Sequence, residues 1–234
     1  MQLSVIIPVY NEEQTIYEII DKVNKQKKTI DLEIIVIDDY STDASRKILI
    51  ELKDKKKIDY LIIHDRNFGK GYAVRSGLKV SSGKIVIIQD ADLEYDPDDY
   101  KFMLSIMESK RIMCLYGSRV LNKKRYEQSN FLSIFRIFAN HALTILTNLI
   151  YGQRLTDAHT CYKMVDADLI KSLTLRENRF SFCPELTSKI SKKGIKIHEC
   201  SIKYKGRSYE EGKKITFIDG IDAVWVLLKY RFYE

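Results

Sequence analysis

We predict an α/β fold, a single domain built on a mostly parallel β-sheet flanked by helices, from three features of the sequence. Short apolar runs rich in β-branched residues alternate with amphipathic segments over the first 120 residues. The apolar runs are continuous, which is typical of strands buried on both faces of a parallel sheet. Polar residues follow each run where the strand should end, and in such sheets ligands bind beyond the carboxyl ends of the strands.

The first half of the chain contains five predicted strands and four predicted helices in alternation. The predicted strands are 3–9, 32–39, 58–64, 84–90 and 111–119. The predicted helices are 12–26, 41–55, 69–83 and 96–110, which have apolar residues at helical spacing. We expect Asn11 to cap the first helix. Pro97 lies near the start of the fourth helix, where its missing N–H costs nothing.

The second half has a different pattern, beginning after Arg119. It predicts a long helix over 131–152, a short helix near 183–194, a strand within 195–207 and a C-terminal helix from about Ile215. The sequence has no internal repeat, low-complexity tract or linker rich in proline and glycine. One domain, 1–234, with functional halves at 1–120 and 121–234, is therefore the economical interpretation.

Charge and cysteine usage restrict the class of protein. A net charge of +7 and a pI of about 9.0 favour anionic partners such as phosphates, nucleic acid or an acidic membrane surface. The cysteines are too widely spaced for a metal site or a disulfide framework, and they indicate reduced thiols in a cytoplasmic protein. We expect no signal peptide and no membrane-spanning helix, because no apolar run reaches 18 residues. An interfacial or buried long helix remains open.

A cluster of carboxylates follows the fourth predicted strand in "QDADLEYD". In extended backbone, residues two apart point the same way, so Asp90, Asp92 and Glu94 are expected to converge. Three such carboxylates repel each other unless a cation lies between them. Carboxylate oxygens suit Mg²⁺ or Mn²⁺, and Mg²⁺ typically binds one or two carboxylates together with substrate phosphates. The alternative is a solvated acidic turn that caps the next helix, a role we expect for Asp96.

Two basic segments are candidates for phosphate binding. "NFGKGYAVRSG" lacks the spacing of a phosphate-binding loop, and its Lys70 contacts either phosphate or solvent. "KYKGRSYEEGKK" places five basic residues around two glycines, namely Lys203, Lys205, Arg207, Lys213 and Lys214. A basic loop with glycine hinges is able to close over a diphosphate and neutralise a leaving group. A solvated basic loop is the alternative.

Five segments in order, "SVIIPVYNE", "IIVIDDYSTD", "RNFGKGYAVRSG", "DADLEYDP" and "YGSR", resemble the family 2 glycosyltransferases of GT-A (Rossmann-like) fold. Within that family the chain looks most like the dolichol-phosphate mannose synthase and polyprenyl-phosphate glycosyltransferase branch. The resemblance covers residues 3 to about 120 closely. It implies an inverting transfer from a nucleotide-diphosphate sugar, bound by residues 1–120, to an acceptor bound by residues 121–234.

The resemblance also implies a set of site residues. Mg²⁺ or Mn²⁺ on the donor diphosphate would be held by Asp90 and Asp92, with Glu94 beside them. Contacts to the donor are implied or expected for Pro8, Tyr10, Glu12, Asp39, Gly69, Lys70, Asp90, Ala91, Asp92, Arg119, Arg207 and Lys213. Asp92 and Arg207 are the expected catalytic residues of the donor side. The chain departs from the family at Glu94, where relatives often have Gln, and at Tyr40, where they usually have Gly.

The acceptor is left open between two chemistries. A polyprenyl phosphate needs no strong base, because its second pKa of about 6 leaves it ionised at pH 7. A sugar hydroxyl needs a carboxylate base, for which Asp157 is the candidate, with a cap of the helix turn as its alternative role. A non-enzymatic anion-binding protein is a remote third possibility. Nucleic acid is not expected, since the carboxylate cluster would repel its backbone and no basic–aromatic RNA motif is present.

The expected location follows from the lipid acceptor. We expect a cytoplasmic enzyme that visits the inner membrane face without crossing it. The basic cluster Lys123–Arg125, one face of 134–150, and the C-terminal helix with Lys229 and Arg231 would provide peripheral contact with anionic lipid. The oligomeric state is not predicted.

Overall fold

The computed structural model describes residues 1–121, 131–206 and 217–233, which form a seven-stranded sheet with flanking helices. The strands are β1 (Leu3–Val9), β2 (Leu32–Asp38), β3 (Tyr60–Ile63), β4 (Ile85–Ile88), β5 (Cys114–Ser118), β6 (Lys163–Asp166) and β7 (His198–Ser201). The helices are α1 (Ile16–Gln26), α2 (Ser45–Asp54), α3 (Lys70–Val80), α4 (Asp99–Lys110), α5 (Phe131–Tyr151), α6 (Ala167–Lys171), α7 (Phe182–Lys192) and α8 (Phe217–Phe232). The predicted α/β class is confirmed.

The strand order is β3-β2-β1-β4-β6-β5-β7. Strands β1 to β4 pair in parallel with one another, and β5 pairs in parallel with β7. Strand β6 is inserted between β4 and β5 and is antiparallel to both. The residues that precede β6 therefore arrive at the same edge of the sheet as the carboxyl ends of the other strands. We call this edge the rim.

Strand β6 was not predicted from the sequence. It has four residues, Lys163–Asp166, and Asp166 also caps the short helix α6 by accepting a hydrogen bond from the Leu169 N–H. Its Lys163 is buried and donates to the Ala158 carbonyl, so the usual apolar signal of a central strand is interrupted. The sheet thus draws its strands from both halves of the chain.

The core lies on either side of β1 and β2, which are buried almost throughout. Helix α1 turns Ile16, Ile19, Ile20 and Val23 toward it, as the helical spacing predicts. Helix α3 approaches β1 and β2 closely through Gly77, since a Cβ there would lie 2.7 Å from the Cγ2 of Ile6. This close contact holds the start of α3 near the rim.

Two local predictions were wrong. Asn11 does not cap α1: the helix begins at Ile16, and the Asn11 side chain instead accepts a hydrogen bond from the Thr42 N–H across the rim. Strand β4 ends at Ile88, two residues earlier than predicted, and a turn follows at Ala91 and Asp92. Leu93 in this turn has a φ of +62°, so the backbone of the carboxylate cluster is not extended.

None of the helices in the described parts of the chain has the length and apolarity needed to cross a membrane.

Candidate active site

The ends of β1 and β2 form one side of the rim. Pro8 lies opposite Ile37 in the sheet, and Tyr10 follows β1 with its ring exposed. The Glu12 N–H donates to the Ser45 hydroxyl, and the Glu12 carboxylate accepts from Thr15. These contacts fix the backbone after β1 against the start of α2, and they leave the Tyr10 ring facing solvent.

Asp39 is buried at the end of β2 and organises the neighbouring loop. One carboxylate oxygen lies 2.7 Å from His64 Nδ1 and accepts from the Phe68 N–H, and the other accepts from the Gly69 N–H at 2.7 Å. His64 Nε2 is in turn 3.0 Å from the Ser76 hydroxyl of α3. His64 was not predicted as a site residue from the sequence. Its only signal was a polar residue at the end of an apolar strand.

Tyr40 follows Asp39 with a φ of +67° and an exposed ring. This left-handed conformation favours glycine, the residue that the family resemblance led us to expect at this position. The guanidinium of Arg46 lies 5.5 Å from the centroid of the Tyr40 ring and donates to Asp38 at 2.7 Å. A cation–π contact therefore compensates part of the backbone cost.

Gly69 and Gly71 place the start of α3 against the segment around Asn178. Gly69 has a φ of +94°, and a Cβ there would lie 2.6 Å from the Asn178 carbonyl oxygen. A Cβ on Gly71 would lie 2.7 Å from the Cβ of Phe182. Both glycines are therefore explained by close packing within the protein.

Lys70, between these glycines, forms an ion pair with Asp90. Its ammonium lies 2.5 Å from the Asp90 carboxylate and 3.4 Å from the sulfur of Cys161. Burial alone would lower the pKa of Lys70, but the neighbouring Asp90 raises it well above its ordinary value. The side chain therefore stays protonated and places a positive charge directly beside the carboxylate cluster.

The carboxylates themselves do not converge as the sequence predicted. Asp92 accepts a hydrogen bond from the Glu94 N–H, whereas the Glu94 carboxylate accepts from the Tyr204 hydroxyl at 2.9 Å. Across residues 1–121, 131–206 and 217–233, no three His, Cys, Asp or Glu side chains are arranged to hold a metal. The physical reason is the turn at Ala91 and Asp92, which abolishes the two-residue alternation. Ala91 is itself buried.

A donor set of two aspartates nevertheless lies at the rim. Asp90 and Asp92 both follow β4, and Mg²⁺ commonly binds through one or two carboxylates and completes its shell with phosphate oxygens and water. The two residues therefore fit a divalent ion that is shared with a diphosphate, with Lys70 as a neighbouring cation.

Arg119 and Asp157 form a buried ion pair on the other side of the rim. The Arg119 Nε and Nη2 donate to the two Asp157 carboxylate oxygens at 2.7 and 2.8 Å, and the Arg119 N–H donates as well. Burial alone would raise the pKa of Asp157, but the Arg119 charge and these hydrogen bonds hold it below its ordinary value. This geometry argues against the proton-acceptor role predicted for Asp157.

The segment that leads into the predicted basic loop lies directly against the carboxylate turn. Tyr204 pairs with Tyr95, the Lys205 N–H donates to the Glu94 carbonyl, and the Lys203 N–H donates to Asp99. The Tyr204 ring also lies 5.3 Å from the Arg119 guanidinium. Arg207, Lys213 and Lys214 lie outside the described residues, so their predicted phosphate contacts stay predictions.

Comparison with known proteins identifies the family. The family model described as Glycosyl transferase family 2 matches residues 4–174. A similar sequence is the undecaprenyl-phosphate 4-deoxy-4-formamido-L-arabinose transferase of Proteus mirabilis, 27% identical over 97% of this chain and 67% of the relative. Another is the dodecaprenyl-phosphate galacturonate synthase of Rhizobium johnstonii, 26% identical over 99% of this chain and 68% of the relative.

The fold is similar to that of solved glycosyltransferase structures. The glucosyl-3-phosphoglycerate synthase of Mycobacterium tuberculosis, crystallised with Mn²⁺, UDP and phosphoglyceric acid, matches with a TM-score of 0.72 and 18% identity. The match covers 100% of this chain and 79% of that one. The same enzyme was also crystallised with Mg²⁺ and UDP. The family model and the fold both agree with the family that the five sequence motifs resemble. The chain therefore belongs to glycosyl transferase family 2.

Proposed function

We propose that this glycosyltransferase moves a sugar, with inversion, from a nucleotide-diphosphate sugar to a polyprenyl phosphate. The observation that carries the acceptor assignment is the Arg119–Asp157 ion pair. A hydroxyl acceptor needs a general base, and the candidate carboxylate is occupied by a guanidinium and has a lowered pKa. A phosphate acceptor is already ionised at pH 7 and attacks without a base.

The names of the relatives support the same class of acceptor. Undecaprenyl, dodecaprenyl and dolichyl phosphate appear in the names of similar proteins from Proteus mirabilis, Rhizobium johnstonii and Trichomonas vaginalis. Solved structures of similar fold hold UDP, which supports a nucleotide-diphosphate sugar as the donor.

In this proposal the donor lies along residues 1–120 and the acceptor approaches from residues 121–234. Pro8, Tyr10 and Glu12 border the nucleoside, while Asp39 faces the base. Lys70, and Arg207 and Lys213 of the basic loop, neutralise the diphosphate as it departs. Arg119, held by Asp157, remains positively charged at the rim because the pKa of its guanidinium is raised by Asp157, even though burial alone would lower it.

We propose that Asp90 and Asp92 hold Mg²⁺ or Mn²⁺ on the donor diphosphate. When bound, such an ion stabilises the negative charge that develops on the leaving nucleotide. Replacing Asp92→Asn removes one of two carboxylates and should abolish transfer without unfolding the protein, since Asp92 is not in the core. Transfer assayed at limiting Mg²⁺ and Mn²⁺, with thermal unfolding as the control, tests this. Full activity in the variant at limiting metal would contradict the metal role.

The acceptor class is tested by radiolabelled transfer from a panel of nucleotide sugars. Each donor is offered a short-chain polyprenyl phosphate and, as a matched control, the polyprenol that lacks the phosphate. We expect label in the organic phase with the phosphate and none with the alcohol. Transfer to a water-soluble glycan, with none to the lipid phosphate, would instead support the soluble-acceptor alternative.

The proposed place of action is the cytoplasmic face of a membrane, because a polyprenyl phosphate keeps its chain in the bilayer while its headgroup is in water. The basic composition supports contact with anionic lipid. Of the regions predicted to make this contact, Lys123–Arg125 lies outside the described residues.

A further inference from the structure

Helix α5 has two faces with different partners. On its inner face, the Thr144 hydroxyl accepts from the Ala158 N–H, and the Asn148 amide donates to the Leu155 carbonyl. Both contacts support the loop that positions Asp157 at the rim. On its outer face lies an exposed apolar stripe, with successive spacings of four, three and four residues, made of Phe138, Ala142, Ile145 and Leu149.

Helix α8 repeats this arrangement. It buries Ala223, Val226, Leu227 and Tyr230, and the Tyr151 hydroxyl at the end of α5 donates to the Leu227 carbonyl. Its opposite face has a stripe of the same spacing, formed by Ile221, Trp225, Leu228 and Phe232. Five of these outer side chains are more than half exposed: Leu149 at 78%, Phe232 at 72%, Phe138 at 60%, Trp225 at 58% and Ile221 at 56%.

An apolar stripe on the solvent side of two adjacent helices indicates a surface that binds a protein or a membrane. The basic residues near these helices favour an anionic partner. Four exposed basic residues gather where α5 and α7 end, namely Arg154, Lys192, Lys193 and Lys196, and Arg154 and Lys196 line one open cleft. None of the four forms an ion pair with another residue in the described ranges. Asp222 is the one exposed acidic residue among the described positions of the two helices.

We propose that the outer faces of α5 and α8 are the surface that lies on an anionic lipid bilayer, with the two stripes in the acyl–headgroup boundary and the basic cluster on lipid phosphates. This rests on the proposed function and deepens it, because α5 connects the bilayer surface to the loop behind Arg119 and Asp157. A lipid acceptor would then reach the rim with its chain still in the membrane. Trp225, with one apolar and one polar edge, suits that boundary.

The chain has a single tryptophan, Trp225, which makes the test direct. Its fluorescence is recorded with vesicles of phosphatidylcholine and phosphatidylglycerol, with and without brominated acyl chains. We expect emission at shorter wavelength on adding vesicles, quenching by the brominated lipid, and weaker binding at high salt. Unchanged emission would overturn the proposal. Emission that shifts with protein concentration in the absence of vesicles would also overturn it, in favour of a second copy as the partner.

Variants test the individual contacts by co-sedimentation with the same vesicles. Leu149→Asp and Ile145→Asp should each lower the bound fraction roughly tenfold or more. Lys196→Gln and Lys192→Gln should each weaken binding roughly fivefold. Phe102→Asp is the matched control, because Phe102 is 52% exposed on α4, outside the two helices, and should bind as the wild type does. An equal loss of vesicle binding in Phe102→Asp would overturn the assignment of the α5 and α8 outer faces as the membrane-binding surface.

Two assays separate this inference from the proposed function. Transfer to a short-chain, water-soluble polyprenyl phosphate without any response of Trp225 to vesicles would overturn the docking surface and leave the acceptor assignment intact. Insertion of Trp225 without transfer to any polyprenyl phosphate would support the surface and contradict the proposed acceptor.

Discussion

The Arg119 guanidinium, directly after β5, binds both carboxylate oxygens of Asp157 at 2.7 and 2.8 Å, and Asp157 lies in the loop between α5 and β6. The two residues are 38 positions apart in the sequence and meet because β6 runs antiparallel beside β5. Asp157 is almost fully buried, so its negative charge is stabilised by the Arg119 guanidinium rather than by water, and the Arg119 charge is stabilised by Asp157 in return.

Replacing Asp157→Asn should therefore destabilise the protein by about 3–5 kcal/mol, because it leaves the Arg119 charge without its buried partner. The pH dependence gives an independent check. A lowered folded-state pKa stabilises the protein above the unfolded value of about 3.9, and this stability is lost as the pH falls through the folded pKa. Urea unfolding measured from pH 6 down to pH 3 should thus show a flatter acid limb in the variant. An acid limb identical to that of the wild type would contradict the coupling.

Lys70→Met should have opposite effects on rate and on metal binding. Transfer should fall by roughly 10²-fold, since the charge-assisted contact that we propose between Lys70 and the diphosphate would be lost. Metal binding should instead become tighter, so the Mg²⁺ concentration for half-maximal activity should fall. The reason is that Asp90 no longer has an ammonium 2.5 Å away that would compete with the metal. Lys79→Met, an exposed lysine on the same helix, is the control and should change neither quantity. A raised metal requirement in Lys70→Met would show that the two cations do not compete.

Tyr40, which has a positive φ directly after β2, offers a test of backbone strain at the rim. Tyr40→Gly and Tyr40→Ala both remove the ring and its contact with Arg46, but only glycine adopts a φ of +67° without cost. Tyr40→Gly should therefore be more stable than Tyr40→Ala by about 1 kcal/mol in denaturant unfolding. Equal stability would indicate that the turn relaxes when the ring is absent.

Gly71 tests the packing that holds α3 at the rim. In Gly71→Ala the new Cβ would lie 2.7 Å from the Phe182 Cβ and in conflict with the Glu177 carbonyl, which should cost about 1–3 kcal/mol. Gly220→Ala is the matched control, since Gly220 is helical and a Cβ there meets nothing within 4 Å. That change should stabilise the protein by about 0.5–1 kcal/mol. The midpoint of thermal unfolding, measured for both variants, checks this. A lower midpoint for Gly71→Ala together with a higher one for Gly220→Ala is expected, and equal changes in the two would contradict the steric conflict at Gly71.

The sequence by itself determined the α/β class, the alternation of the first nine elements and the family, because these depend on hydrophobic periodicity and on motifs that are local in the chain. Polar residues such as Tyr10, Asp39 and Asp90 could be assigned to the rim, since parallel strands end at one edge. The predicted convergence of Asp90, Asp92 and Glu94 was wrong, because a turn with Leu93 at positive φ replaced the expected extended backbone and Glu94 contacts Tyr204 instead.

Only the tertiary structure decided how the second half completes the site. The short strand β6, with a buried lysine, has no clear apolar signal, yet its insertion between β4 and β5 brings Asp157 to Arg119 and Cys161 to Lys70. The pairing of Asp39 with His64, 25 residues away, likewise depends on the adjacency of β2 and β3. Such contacts determine which charged side chains are already paired within the protein. They arise from strand order and burial, and the spacing of residues along the chain does not specify either.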